Sequence, residues 1–261
     1  MNKQPSSFLF IKERTRAYNK KNMRKGVLFL RKYKMELVMA CFFLICFYFL
    51  SRQAAAVSVW MNSETVETKK NVIVLDPGHG GSDPGMIGVD GLEEKGINLS
   101  VSLLLKEKLE EKGYTVMLTR ESDQGLYDDS AQNKKAQDMQ RRIALIDETA
   151  PVLTVSIHQN SYHDPMVKGP QVFYYETSSE GKELAADLQE SLNTVLEVER
   201  PREIKGNTSY YLLKRSKGLL VIAECGFLTN PEEAALLQTD EYQGKVASAL
   251  AEGILAYLQK Q

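Results

Sequence analysis

The chain has 261 residues, of which 43% are hydrophobic and 26% charged, and its formal net charge is −1. That length suits one large domain with a flanking segment rather than two full domains, and the composition excludes a disordered chain. A total charge so near zero gives no long-range field of the kind that gathers nucleic acid, so none is expected as a partner.

The charge is unevenly placed. Residues 1–35 carry Lys3, Lys12, Arg14, Arg16, Lys20, Lys21, Arg24, Lys25, Arg31, Lys32 and Lys34 against the single acid Glu13, which leaves the remainder acidic. Leu37 to Leu50 then runs uncharged and mostly apolar. A basic lead before an apolar stretch is the pattern of a signal peptide or of a membrane anchor with its N-terminus inside. A spanning helix wants about 20 apolar residues and this run is shorter, which favours a signal. Ala54-Ala55-Ala56 offers a cleavage site, and a start at Met23 would give the basic lead an ordinary length. A buried core helix is the alternative, and the basic block opposes it. Residues 1–35 are therefore expected to be a basic segment and 36–57 a signal peptide or membrane anchor. Residues 58–70, rich in Ser, Thr, Glu and Lys, read as a linker, and 71–261 as the folded domain, exported and then secreted or membrane-anchored. Cys41 and Cys46 fall inside the apolar run, so Cys225 stands alone in the exported part and no intrachain disulfide is available there.

Val72 to Leu75 is a continuous apolar run ending in Asp-Pro-Gly, the mark of a buried strand entering a loop. Helical spacing follows over Asn98 to Lys112, then a strand at Tyr114 to Leu118. Ala136, Met139, Ile143 and Ile146 mark a second helix, and Val152 to Ile157 a third strand. Gln171 to Tyr175 reads as strand, Glu180 to Val198 as helix, and Ser209 to Leu213 and Leu219 to Ala223 as further strands. Asn230-Pro231-Glu232-Glu233 combines an N-cap, a proline at the first helical position and early acids, so a short helix starts there. A last helix covers about Glu241 to Leu258. Strands alternating with helices predict an α/β domain, a layered sandwich around a mixed or mainly parallel sheet.

Ligands of such sheets sit beyond the carboxyl ends of the strands. His79 follows the first strand through Pro77-Gly78, and His158 closes V-L-T-V-S-I-H. One strand-end histidine is more often structural; two at the same edge of one sheet point to a metal. Neutral imidazole suits zinc, and a catalytic zinc keeps three protein ligands and one open position. Spacing leaves the third ligand open among Asp76, Asp83, Asp90, Glu93, Glu94 and the less favoured loop residue His163. Glu224 ends the apolar strand Leu219 to Ala223, where an acid is costly to bury without a purpose, so it is the candidate proton carrier. Alternation along the strand then sends Cys225 to the opposite, packed face. The stretch G-H-G-G-S-D-P-G lacks the ending and the spacing of a phosphate loop, and no Gly-x-Ser-x-Gly elbow of a serine hydrolase occurs. Its glycines are expected to let backbone wrap closely around His79.

The stretches L-D-P-G-H-G-G-S-D-P-G, G-L-E-E-K-G-I-N-L, V-M-L-T-R, V-S-I-H-Q-N and A-E-C-G-F-L-T-N-P-E-E, in that order from about Val72 to Glu233, resemble the zinc amidase family often called amidase 3. The resemblance implies a six-stranded sheet flanked by helices and hydrolysis of the amide between N-acetylmuramic acid and L-alanine in peptidoglycan. It implies zinc (Zn2+) held by His79, Glu94 and His158, with Glu94 preferred to Glu93 because the family's ligand directly precedes a lysine, here Lys95. It matches Glu224 to the family's catalytic glutamate. Asn160 and Arg120, closing two of these stretches, are the expected substrate contacts. There is no room for the autoinhibitory helix that some members insert. Asp147 and Gln159 stand where many members have Asn and Ala. H-Q-N-S-Y and the bare domain resemble the sporulation-specific branch, which strips stem peptides from spore cortex before muramic δ-lactam formation. The expected partners are peptidoglycan, the membrane if the N-terminal segment stays uncleaved, and an accessory protein. A zinc carboxypeptidase of the stem peptide and a non-catalytic peptidoglycan-binding protein are the rival readings.

Overall fold

The computed structural model describes residues 69–261, together with Met23 and positions 38, 39, 42–45 and 48. The expected basic segment and signal or anchor lie almost wholly outside the described residues, as does the expected linker except for Lys69 and Lys70, which already belong to the first strand. Among the described residues no helix is long and apolar enough to cross a membrane.

Six strands form one sheet in the order β2-β1-β3-β6-β4-β5. They are β1 (Lys69–Pro77), β2 (Thr115–Leu118), β3 (Pro151–Asn160), β4 (Gln171–Tyr175), β5 (Lys205–Asn207) and β6 (Leu220–Phe227). β1 pairs in parallel with β2 and β3, and β3 with β6. β4 runs antiparallel to β6 and carries the short β5 parallel to itself. The sheet is thus mixed and mainly parallel, as expected. The helices are α1 (Glu94–Glu110), α2 (Lys134–Thr149), α3 (Ser179–Val195), α4 (Tyr211–Arg215), α5 (Pro231–Leu237) and α6 (Asp240–Leu258). Side-chain caps start four of them: Asn133, Ser178, Asn230 and Thr239 each accept a backbone N–H of the first turn.

Alternation along the strands divides the sheet into two unlike faces. Ile73, Leu75, Leu153, Val155, Ile157, Val221, Ala223 and Cys225 enter one core with Val101, Leu105 and Leu109 of α1, Leu184, Leu188 and Leu192 of α3, and Val246, Leu250 and Ile254 of α6. Each such aliphatic side chain contributes about 1.5–3 kcal/mol by leaving water. Cys225 is fully buried there, on the packed face as alternation required. The other face holds a smaller cluster of Val74, Ile146, Phe173, Leu212, Leu213, Leu220 and Ile222 under α2 and α4. Further along those strands, on this second face, the residues are Asp76, Ser156, His158 and Glu224.

Two elements differ from expectation. Ser209 to Leu213 is not a strand: Asn207 Oδ1 accepts the backbone N–H groups of Ser209 and Tyr210 at 2.7 and 2.8 Å, turning the chain out of β5 and into the one-turn helix α4. The apolar pair Leu212-Leu213 is buried by α4 itself. In α2 the buried stripe is Asp138, Arg142, Ile146 and Thr149, while Ala136 is exposed and Met139 and Ile143 are half-buried. Polar partners hidden in the second face draw the helix round.

Candidate metal and active site

The carboxyl ends of β1, β3 and β6 meet at one edge, where the register sets His158 beside Glu224 and Pro77 beside Ile157. β1 leads into a loop in which His79 adopts φ 63°, a left-handed conformation that disfavours any side chain. Arg142 Nη2 holds that turn by donating to the His79 carbonyl at 2.6 Å. A Cβ at Gly78 would stand 2.3 Å from the His158 ring, and one at Gly85 would stand 2.5 Å from Glu94 Oε2, so the backbone closes on both donors where only glycine fits.

Glu94 opens α1 and is 3% exposed. Its Oε2 lies 3.1 Å from His79 Nε2 and its Oε1 3.0 Å from His158 Nδ1. Donor atoms of these three side chains all lie within 4.8 Å of one another. The remaining hydrogen bonds to Glu94 fix its plane. Oε1 accepts from the Gln159 backbone N–H at 3.0 Å and from Asn98 Nδ2 at 3.1 Å, and Oε2 from the Met86 N–H at 2.8 Å. Gln159 Nε2 in turn donates to Asn98 Oδ1 at 3.2 Å. On the far side of His79, Nδ1 meets Asp83 Oδ2 at 3.1 Å.

Charge follows contact. Burial alone would push the Glu94 carboxyl up, but the two imidazoles outweigh it and hold the group far below the usual carboxylate range. For His158 burial works against protonation, and Glu94, then Glu224, reverse that and raise it. Glu224 is 9% exposed, and its Oε2 is buried with no hydrogen-bond partner among the described residues. Burial pushes its carboxyl up to about 7, with Glu94 adding to the rise and the imidazoles of His158 and His79 opposing it. A buried carboxylate left unpaired costs free energy unless something absent from the protein chain engages it. Two imidazoles and a carboxylate in mutual contact, with an unpaired acid next to them, fit one zinc ion with an open position.

Of the residues left open by spacing, Glu94 alone joins both histidines. Asp76 is buried on the second face, Asp83 buttresses His79, Asp90 is in an exposed turn, and Glu93 pairs with Lys95 at 3.3 Å. His163 is exposed beside Tyr162.

Arg120, expected at the substrate, is engaged with backbone. The residue is 5% exposed, and its guanidinium donates to the carbonyls of Pro77, Ser122, Gly78 and Lys95 at 2.8–3.0 Å, so each of its three nitrogens helps to hold the loops. Asn160 ends β3 half-buried, with its Oδ1 taken by the Ser161 N–H at 2.8 Å.

Sequence reading missed the support beneath the site. Asp76 accepts from Thr119 Oγ1 and Ser156 Oγ at 2.6 Å each and from Arg142 Nη1 at 2.8 Å, while Arg142 Nε donates to Asp138 Oδ2 at 2.6 Å. An Asp and an Arg four residues apart in α2, in line with Ile146, were the available signal.

The profile of Amidase_3, N-acetylmuramoyl-L-alanine amidase, matches residues 73–256. Over 193 residues the chain is 37% identical to the germination-specific N-acetylmuramoyl-L-alanine amidase of Bacillus subtilis, spanning 73% of this chain and 81% of that protein. Among solved structures it is similar to the CwlD amidase from Clostridioides difficile, determined in complex with the GerS lipoprotein. The TM-score is 0.71 and the identity 38%, over 73% of this chain and 100% of that one. The amidase AmiC2 of Nostoc punctiforme gives a TM-score of 0.64 at 32% identity, over 74% of this chain and 99% of that one.

Proposed function

Since the chain belongs to the Amidase_3 family of N-acetylmuramoyl-L-alanine amidases, we propose that it is a zinc-dependent enzyme that cleaves the muramoyl–L-alanine amide of spore-cortex peptidoglycan, in preparation for muramic δ-lactam formation. The observation that carries this reading is the unpaired buried oxygen of Glu224 beside the contacting trio His79, Glu94 and His158. Those three would hold the ion. Zinc there supplies Lewis acidity, which polarises a carbonyl and makes water more acidic.

The chain's own part is positional and protonic. Asn98 and the N–H groups of Met86 and Gln159 keep the Glu94 carboxylate in one plane. Asp83 orients His79 through Nδ1. Glu224 takes a proton from the attacking water and returns it to the leaving nitrogen of L-alanine, a task its buried oxygen with no protein partner leaves it free to perform. Asn160, at the rim, remains a candidate substrate contact.

Similarity to the germination-specific enzyme supports the cortex as substrate. The lipoprotein in the CwlD structure supports an accessory protein as partner. The basic lead and apolar run support export across the cytoplasmic membrane, with the domain secreted or anchored in the wall or the forespore intermembrane space. The test is metal analysis of the full-length chain together with mass spectrometry of cortex peptidoglycan digested by it. Zinc at one per chain and stem peptides with a free L-alanine amine are expected. Release of single amino acids from the stem's carboxyl end would make it a carboxypeptidase instead.

A further inference from the structure

The site opens toward the second face of the sheet, where cover is thin. Between the start of α2 and the start of α4 lies a groove of about 300 Å3, lined by Asn133, Lys135, Ala136, Met139, Gln140 and Tyr211. It reaches the metal donors through one side chain. Lys135 Nζ is 3.6 Å from Asp83 Oδ2, the oxygen that lies 3.1 Å from His79 Nδ1. Its other wall begins next to Tyr210, whose ring meets that of Phe173 at a tilt, 5.3 Å between centroids, on the face that carries Glu224.

The lining combines an exposed cation, amide donors and acceptors, the apolar Ala136 and Met139, and an aromatic ring. Lys135 is 73% exposed along its side chain, and 3.6 Å is a loose contact, so the ammonium is free to take a better anion. Tyr211 is 42% exposed, with the Arg215 guanidinium 5.9 Å from its ring centroid. A second groove is lined by Asp123, Asp128 and Asp129, and each of these acids is already paired with a cation, Lys95, Arg141 and Lys134 in turn.

Of the two grooves only the first offers a loosely held charge, and that charge suits one arm of a muramyl peptide. Once its lactyl group is amidated, the glycan arm near the cut is uncharged, whereas the stem peptide carries free carboxylates. The geometry points to the α2–α4 groove as the stem-peptide subsite, with Lys135 receiving a stem carboxylate and Tyr211 packing along the peptide. This rests on the amidase reading and adds to it the path of the leaving group and the residue that senses its charge.

The experiment compares two synthetic muramyl peptides, one with free stem carboxylates and one with the same carboxylates amidated, as substrates of the full-length chain. The wild type should favour the free form about fivefold in kcat/KM, carried by KM, the scale of one exposed ion pair. Lys135→Ala should erase that ratio, Lys135→Arg restore it and Lys135→Glu invert it. Tyr211→Ala should raise KM for both substrates alike. An unchanged ratio in Lys135→Ala and Lys135→Glu overturns the assignment. If the wild type cleaves neither substrate, the amidase reading falls, and calorimetry of the free stem peptide on the same variants then decides the groove by itself. Binding weakened by Lys135→Glu upholds the subsite, and binding indifferent to it does not.

Discussion

The two faces of the sheet are made by the same strands yet built on different rules. Toward α1, α3 and α6 the buried strand positions are apolar except Gln159 near the end of β3, and three helices of 17–19 residues cover them. Toward α2 and α4 the strands begin apolar and end in Asp76, Ser156, His158 and Glu224, under one 16-residue helix and one of five residues. Burial that needs no partner stabilises the first face. The second is held by paired charges and leaves its upper edge open. A single strand such as β6 therefore serves both tasks with alternate residues: Val221, Ala223 and Cys225 pack, while Glu224 remains available for chemistry.

The largest effect is expected at the open end of the second face. Glu224→Gln keeps shape but cannot accept a proton at neutral pH, so turnover should fall by about 10² to 10⁴-fold. Zinc content should stay near wild type, because the three donors are untouched. Loss of zinc would make Glu224 a ligand, and near-normal release of free-amine stem peptide would remove it from the mechanism.

Next comes the charge pair beneath. Arg142 and Asp76 are both almost fully buried, and Arg142→Met leaves the carboxylate without its cation. Breaking a buried pair in this way costs about 3–5 kcal/mol, read as a lower midpoint in urea. The His79 carbonyl loses its clamp as well, so zinc affinity should fall alongside stability. On the first face Leu188→Ala should cost about 2–5 kcal/mol by leaving a cavity, with the rate per folded molecule and zinc affinity unchanged. Equal loss of zinc affinity in both variants would dissolve the contrast between the faces.

The smallest effect is a pH dependence. Burial raises the Asp76 carboxyl, but Arg142, Ser156 and Thr119 outweigh it and lower it to about 2. A carboxylate depressed on folding stabilises above its unfolded value and loses that contribution as pH falls through the folded one. About 2 kcal/mol should therefore disappear between roughly pH 4 and pH 2. Asp76→Asn should lack that component in urea titrations compared over the same range.

Legibility in sequence divides along the same line. Residues whose role is periodic could be read directly: the apolar runs of β1, β3 and β6 and the alternation that hides Cys225. His79 and His158 were legible as strand ends. The choice of Glu94 over Glu93 came from resemblance, because two adjacent acids at a helix start differ only in where the first turn points them. The four carbonyls around Arg120 were not legible, because a motif-ending arginine looks the same whether it faces ligand or backbone. The Asp76–Arg142 pair joins residues 66 positions apart, a distance no local pattern spans. α4 was taken for strand because a five-residue apolar segment has no period long enough to separate the two.

One consequence follows from the left-handed turn at His79. An imidazole there is held in a backbone shape that glycine would adopt at roughly 1–2 kcal/mol less. Glycine at this position would relax the turn and remove one of the three proposed metal donors. Under the zinc proposal, backbone ease and metal binding therefore make opposite demands on residue 79.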